Sequence, residues 1–263
     1  MKTLGLIKIG GGLITDKRTP FSVRQKVMHT VACEIKDLIE RHPDLHIVLG
    51  NGAGSFGHYV ASQHMRSTDP KADWKRATCE IHHSVVRLNA LFVQELLDAG
   101  VNAFSVSPSS CMVCVDGNPA EFSLSSVVEL LERGIVPVMY GDIVPDRTRV
   151  ASIVSTEKLL GLLAEKFRGS YERIVVSYVG EEKGVLDERG RVLSRISPAT
   201  LVKLQKHITG ATGYDVTGGM LQKVQHALDV ARIAKRVYII SGHEKGAIGK
   251  TFEGRRVGSR IVR

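Results

Sequence analysis

Two kinds of apolar pattern alternate along the N-terminal part of the chain. Leu4-Gly5-Leu6-Ile7-Lys8-Ile9 is a short, nearly continuous apolar run interrupted by one lysine, the pattern of a buried strand. It leads straight into Gly10-Gly11-Gly12. Val27, Val31, Ile35 and Leu38 then recur at spacings of four, four and three, which predicts a helix from about Val23 to Arg41, ended by Pro43. A second strand, His46–Leu49, delivers the chain into Gly50-Asn51-Gly52-Ala53-Gly54-Ser55-Phe56-Gly57-His58. Strand, glycine loop, helix, strand, glycine loop is the rhythm of a parallel α/β sheet.

The alternation continues. A long helix fits from about Trp74 to Ala99, with Ile81, Val85, Leu88, Phe92 and Leu96 on one stripe and Gly100 as its stop. Apolar runs at Ala103–Val106 and Cys111–Val115 predict short strands, the second turning at Asp116-Gly117. Val127–Arg133 reads as a helix and Ile135–Tyr140 as a strand ending in Gly141-Asp142. A turn at Pro145–Arg149, a helix over Thr156–Phe167 and a strand over Arg173–Tyr178 come next, then an exposed loop and hairpin to about Arg195. The polar stretch Gly210–Gly219 introduces a helix with Leu221, Val224, Leu228 and Ala231 on one face. The last predicted strands are Val237–Ile240 and a hairpin around Gly254 ending at Val257–Val262.

Composition narrows this picture only a little. With 263 residues, 43% hydrophobic and 24% charged, the chain suits one large domain or two fused ones. A subtle boundary falls near Ala151, with no shift in composition. The net charge of +9 favours anionic ligands and on charge alone admits nucleic acid. Cys111-Met112-Val113-Cys114 has CxxC spacing, but no second pair of ligands stands at the spacing of a structural zinc site, so no metal ligand set is expected. The chain opens on a strand-like run with no signal-peptide architecture, and no stretch reaches the ~18 apolar residues of a membrane span. A reduced, cytoplasmic protein is the expectation.

Candidate chemistry gathers at the glycine stretches. Gly52-Ala53-Gly54-Ser55-Phe56-Gly57 matches GxGxxG after a strand, the dinucleotide fingerprint. It follows the second strand rather than the first, however, and no acidic residue ends a clear third strand about 20 residues on. Gly249-Lys250-Thr251 resembles the end of a phosphate-binding P-loop, but Glu244 stands where that motif needs glycine; it reads as a turn with a basic residue. Lys8 is more informative. An ammonium inside an apolar strand is costly unless an anion meets it, and Lys17 lies just beyond the same glycines. Asp215-Val216-Thr217-Gly218-Gly219 makes a third glycine turn at a helix start, with Lys223 one turn in, where the helix dipole also favours an anion. Two glycine stretches at successive strand ends, with lysines around them, point to a polyphosphate.

These segments resemble the amino acid kinase superfamily. The resemblance rests on Lys8-Ile9-Gly10-Gly11-Gly12 with Lys17, and on Gly52-Ala53-Gly54-Ser55-Phe56-Gly57-His58. Val106-Ser107-Pro108-Ser109-Ser110, Tyr140-Gly141-Asp142-Ile143-Val144-Pro145-Asp146 and Thr217-Gly218-Gly219-Met220 with Lys223 also carry it. The loop ending in His58 is similar to the branch of that superfamily that acts on isopentenyl phosphate, and to its close relative acting on fosfomycin. The resemblance implies an α/β fold: an open, mainly parallel sheet sandwiched between helices. An acceptor-binding lobe at about 1–150 and a nucleotide-binding lobe at about 151–263 are expected, in a homodimer. It further implies ATP with Mg2+, a small-molecule phosphate as partner, and neither nucleic acid nor membrane. By likeness, Lys8, Lys17 and the residue at 157 would be catalytic. Lys8, Gly10, Gly11, Gly12, Gly54, Gly219 and Lys223 would hold ATP, while Ala53, Gly54, His58 and Gly141 would hold the acceptor.

Four positions depart from the superfamily pattern. Gly12 replaces a serine, Asn51 stands in a variable loop position, and Ser155-Thr156-Glu157 occupies the place of Ser-Gly-Asp. Val179-Gly180-Glu181-Glu182-Lys183-Gly184 replaces a Gly-Thr-Asp-Val-Asp-Gly loop near the nucleotide. Glu157 carries one methylene more than the usual aspartate that orients the lysines. Other small phosphates or phosphonates, or a catalytically weakened nucleotide-binding relative, are the alternatives these changes leave.

Overall fold

In a computed structural model, which describes residues 2–16, 18–65, 73–202 and 218–263, the strand that carries Lys8 is buried along its whole length. In chain order the elements begin β1 (Thr3–Ile9), α1 (Gly11–Ile14), α2 (Gln25–Arg41), β2 (Leu45–Asn51), α3 (Gly54–Met65), α4 (Trp74–Asp98) and β3 (Ala103–Ser105). They continue α5 (Pro108–Cys111), β4 (Met112–Val115), β5 (Asn118–Phe122), α6 (Ser125–Glu132), β6 (Val136–Tyr140), β7 (Asp142–Pro145), β8 (Ala151–Val154) and α7 (Thr156–Lys166). The last are β9 (Arg173–Gly180), β10 (Arg195–Ile196), α8 (Gly218–Val230), β11 (Arg236–Ser241), α9 (Ala247–Glu253) and β12 (Ser259–Ile261).

Among the described residues the main sheet has eight strands in the order β10-β12-β11-β9-β1-β2-β6-β3. Its pairings are parallel except β11 with β12, so the expected open, mainly parallel sheet is present. Leu4 and Leu6 of β1 face a core completed by Leu159, Leu160 and Leu163 of α7 and Val224 and Ala227 of α8. Ile7 and Ile9 face the other core, with Met28, Val31, Ile35 and Leu38 of α2, Leu88, Phe92 and Leu96 of α4, and Ile248 and Phe252 of α9. Both faces are therefore covered by helices, as a central strand buried along its whole length demands. Each such fully buried side chain contributes roughly 1.5–3 kcal/mol. Lys8, two residues on from Leu6, shares its face and points to the α7–α8 side. Among the described residues no helix is long and apolar enough to cross a membrane.

The helix caps explain several boundaries. Asp73 accepts from the Arg76 N–H at 3.0 Å and opens α4, while Ser155 accepts from the Lys158 N–H at 3.2 Å and opens α7. Asp146 ties two antiparallel hairpins, β4–β5 and β7–β8. Its carboxylate accepts from the Ser152 hydroxyl (2.7 Å), the Gly117 N–H (2.8 Å) and the Thr148 N–H (2.9 Å). The Ser152 bond, with the other hydrogen bonds, holds its pKa well below the usual carboxylate range.

The C-terminal end corrects the sequence reading. There is no hairpin around Gly254, and Gly249-Lys250-Thr251 is not a turn: all three lie in α9. Ala247, Ile248, Thr251 and Phe252 are its buried face, spaced for one side of a helix. Gly254, in the left-handed region at φ 75°, closes it. The Ile248 N–H donates to the buried Glu34 carboxylate at 2.6 Å. Lys250 is spent on Glu244 at 2.6 Å, and β12 pairs with β11 across the helix rather than with a local partner. Cys111 closes the short helix α5 instead of opening a strand.

Candidate active site

In four of the five adjacent parallel strands β11-β9-β1-β2-β6, the residue following the strand is hydrogen-bonded to the neighbouring strand. The Gly10 N–H donates to Val179 O at 2.7 Å, Gly52 to Ile9 O at 2.9 Å, Gly141 to Asn51 O at 3.1 Å and Gly242 to Gly180 O at 2.8 Å. Their ends therefore form one continuous floor at the carboxyl edge of the sheet, where open α/β sheets bind ligands. The second glycine stretch is not a single loop. β2 runs through Asn51, only Gly52 and Ala53 are irregular, and α3 begins at Gly54, so His58 stands one turn into a helix and is exposed.

The two glycine stretches touch backbone to backbone. A methyl group on Gly11 would lie 2.6 Å from the Gly54 Cα, and one on Gly52 would lie 2.8 Å from the Gly11 N. Gly54 has φ +52°, and a methyl there would meet Thr15 Oγ1 at 2.5 Å. Thr15, fully buried, joins the stretches: its hydroxyl donates to Gly11 O (2.7 Å) and accepts the Ser55 N–H (2.9 Å). The N–H groups of Gly11 and Gly12 head α1 and have no acceptor within that helix. The Gly10 N–H donates to Val179 O and the Gly141 N–H to Asn51 O, so both are engaged within the sheet.

Charge converges on this floor from the α7–α8 side. Lys8 Nζ donates to Glu157 Oε1 at 2.6 Å, with side chains 9% and 18% exposed. Burial pushes the Glu157 pKa up, but the Lys8 ammonium outweighs it, with a smaller pull from Lys223, and the carboxyl is held below its ordinary value. The extra methylene of Glu157 thus lets it reach Lys8. A methyl on Gly180 would stand 3.9 Å from Lys223 Nζ, so the ammonium hangs over the end of β9. Thr156, where the superfamily pattern has glycine, packs under the floor. Its hydroxyl donates to Asn51 O at 2.8 Å, and its methyl fills the space a side chain at Gly50 would need. Lys8, Gly10, Gly11, Gly12, Gly54, Glu157 and Lys223 are accordingly neighbours. Ala53 borders Gly57, and Gly219 lies in the first turn of α8. Lys17, Thr217 and most of the stretch 210–219 lie outside the described residues.

The other departures are also accommodated. Gly12 O accepts from Arg24 Nη1 at 3.1 Å, and the same guanidinium pairs with Glu181, so the altered loop after β9 is strapped to the first glycine stretch. Asn51 Oδ1 accepts from Asn89 at 2.9 Å, and the Ser105 hydroxyl donates to Asn89 in turn. On the far side of the floor His82, which no sequence motif singled out, meets Asp142 of the Tyr140–Asp146 stretch. Asp142, its side chain wholly buried, bonds His82 Nδ1 of α4 at 2.9 Å and accepts the Ser109 N–H at 3.1 Å. Among the described residues no three His, Cys, Asp or Glu side chains gather as a metal ligand set.

A model of the amino acid kinase family matches residues 4–241. The chain belongs to the amino acid kinase family. Within that family its relatives are consistent. An isopentenyl phosphate kinase from Methanocaldococcus jannaschii is 29% identical over 98% of both chains. One from Haloferax volcanii is 30% identical over 86% of this chain and 88% of its own. A solved structure of an isopentenyl phosphate kinase is 25% identical and superposes with a TM-score of 0.78, covering 98% of this chain and 100% of its own. This amino acid kinase is a phosphotransferase.

Proposed function

We propose that the chain transfers the γ-phosphoryl group of ATP to isopentenyl phosphate, giving isopentenyl diphosphate and ADP. The observation that carries this reading is the backbone contact between the Lys8–Gly12 stretch and the Gly52–His58 stretch. It sets a donor cradle against an acceptor cradle whose helix presents His58. The relatives bearing the name isopentenyl phosphate kinase support the choice of acceptor.

A phosphate monoester is largely dianionic at neutral pH, its second pKa being about 6. One of its oxygens can attack the γ-phosphorus without a strong general base, as the bond to the β-phosphate oxygen breaks and ADP leaves. What the protein must supply is alignment and charge neutralisation. Lys8 and Lys223 would draw charge off the β- and γ-phosphates, and Lys17 would sit on the transferring group. The N–H groups of Gly11, Gly12 and Gly54 would donate to phosphate oxygens, and Ala53 and His58 would hold the acceptor phosphate. Glu157 keeps Lys8 oriented. Since no carboxylate cluster gathers among the described residues, Mg2+ would be held mainly by nucleotide phosphates and water, as is common for this ion. When bound, it neutralises charge on the β- and γ-oxygens.

An acceptor lobe at about 1–150, a nucleotide lobe at about 151–263, a homodimer and a cytoplasmic location belong to the same reading. The test is ADP release from Mg-ATP across a panel of phosphate monoesters and phosphonates. The highest kcat/KM is expected with isopentenyl phosphate; a higher value with fosfomycin would reassign the acceptor, and no ADP with any acceptor despite ATP binding would rule out the reaction.

A further inference from the structure

Arg195, Arg260 and Tyr238 stand abreast on three adjacent strands at the outer edge of the sheet. Arg195 is in register with Arg260 between β10 and β12, and Arg260 with Tyr238 between β12 and β11. Residues so paired project from the same face. Arg255 and Arg256, just after α9, complete a cavity of about 450 Å³ with this row, within the ~300–1,000 Å³ typical of small-molecule sites. Val257, Val262 and Tyr238 add apolar wall.

The charges in this cavity are poorly matched from within. Arg255 is paired with Glu253 at 2.8 Å, but Arg195, Arg256 and Arg260 make no ion pair among the described residues. Like charges directly opposite across strands destabilise a sheet, so Arg195 beside Arg260 is costly unless an anion lies between them. Tyr238 is 1% exposed, and its hydroxyl is buried without a hydrogen-bond partner among the described residues.

The cavity is not part of the reaction crevice. β12 lies three strands from β1, roughly 14 Å at ~4.8 Å per strand. α9 also carries the chain back to the start of β11, where Arg236 donates to Phe252 O at 2.7 Å, whereas the crevice lies at the strand ends.

We infer that this arginine-lined cavity is a second anion site that takes a small organic diphosphate. Guanidinium forks pair bidentately with phosphate oxygens, and three unpaired cations match the roughly three negative charges of a diphosphate monoester. ADP and an alkyl diphosphate share that chemistry.

Calorimetric titration of the full chain with inorganic pyrophosphate tests this. Arg256→Gln and Arg260→Gln, both at exposed positions, should each weaken binding about tenfold while leaving kcat and the KM for ATP within about twofold. Lys223→Gln, in the crevice, should leave the cavity's affinity unchanged. Equal affinity in the wild type and the arginine variants, or loss only in Lys223→Gln, would overturn the inference. Competition with ADP and with isopentenyl diphosphate then identifies the source, the tighter competitor being the occupant. A single-stranded oligonucleotide that displaces pyrophosphate at lower concentration than either would overturn the assignment to a small anion.

Discussion

At the residue scale the Lys8–Glu157 pair is where sequence left most in doubt and structure most changed the picture. Glu157 in place of aspartate suggested a weakened catalytic centre, yet its longer side chain spans the gap to Lys8 at 2.6 Å. Glu157→Asp should draw the carboxylate back by about 1 Å, a displacement that can lower kcat by roughly a hundredfold; kcat within a factor of two of wild type would mean the contact is dispensable. Glu157→Gln removes the charge and leaves Lys8 buried without its counter-ion, destabilising the chain by about 3 kcal/mol near neutral pH. Because the folded-state pKa of Glu157 lies below its ordinary 4.5, its contribution to stability is present above that value and is lost as pH falls through the lower folded value. The difference in Tm between wild type and Glu157→Gln should therefore be largest near pH 7 and shrink below about pH 4.5. His58→Ala should raise the acceptor KM at least about tenfold, as expected for loss of a charge-assisted hydrogen bond, with the ATP KM changed less than twofold. Equal rises in both would remove His58 from the acceptor side.

At the scale of elements, the site depends on two glycine stretches held together by one hydroxyl. Thr15→Val would leave the Ser55 N–H and the Gly11 carbonyl without that partner in a buried setting. It should cost about 2 kcal/mol of stability, read by urea denaturation, and lower kcat/KM. Gly11→Ala should be harsher, since its methyl would meet the Gly54 backbone and push the two cradles apart; a loss of about a hundredfold in kcat/KM is expected. The glycines, Lys8 and the strand rhythm were legible because each is a local signal: buried strands are continuously apolar, and glycine runs at strand ends have few other uses. Thr15, Asn89, His82 and Arg24 were not legible. They carry no motif of their own, and their roles come from partners such as Ser55, Asn51, Asp142 and Glu181, distant in sequence. Lys250 failed in the opposite way. Its Gly-Lys-Thr setting looked like a turn, but the apolar pair Ala247-Ile248 and Phe252 needed the α2 side of the sheet, and tertiary burial overrode the local glycines.

At the scale of the whole molecule, the sheet order brings residues from both ends of the chain to one edge. β1, β2, β6 and β9 adjoin one another, so Lys8, the Gly52–His58 stretch and the Gly180 loop meet although up to about two-thirds of the sequence separates them. Lys223 arrives on a helix packed over the same face. This arrangement predicts that Mg-ATP binds the folded chain and stabilises it. At a hundred times its dissociation constant the gain is about 2.7 kcal/mol, or roughly 5 °C in Tm for a chain of this size. The central claim is that the γ-phosphoryl group crosses from one cradle to the other. Phosphorus-31 NMR of Mg-ATP, isopentenyl phosphate and catalytic protein follows that transfer directly. We predict loss of the acceptor monophosphate resonance and growth of two coupled diphosphate resonances, in equal molar amounts with ADP. Release of ADP with only inorganic phosphate, the acceptor resonance unchanged, would contradict it.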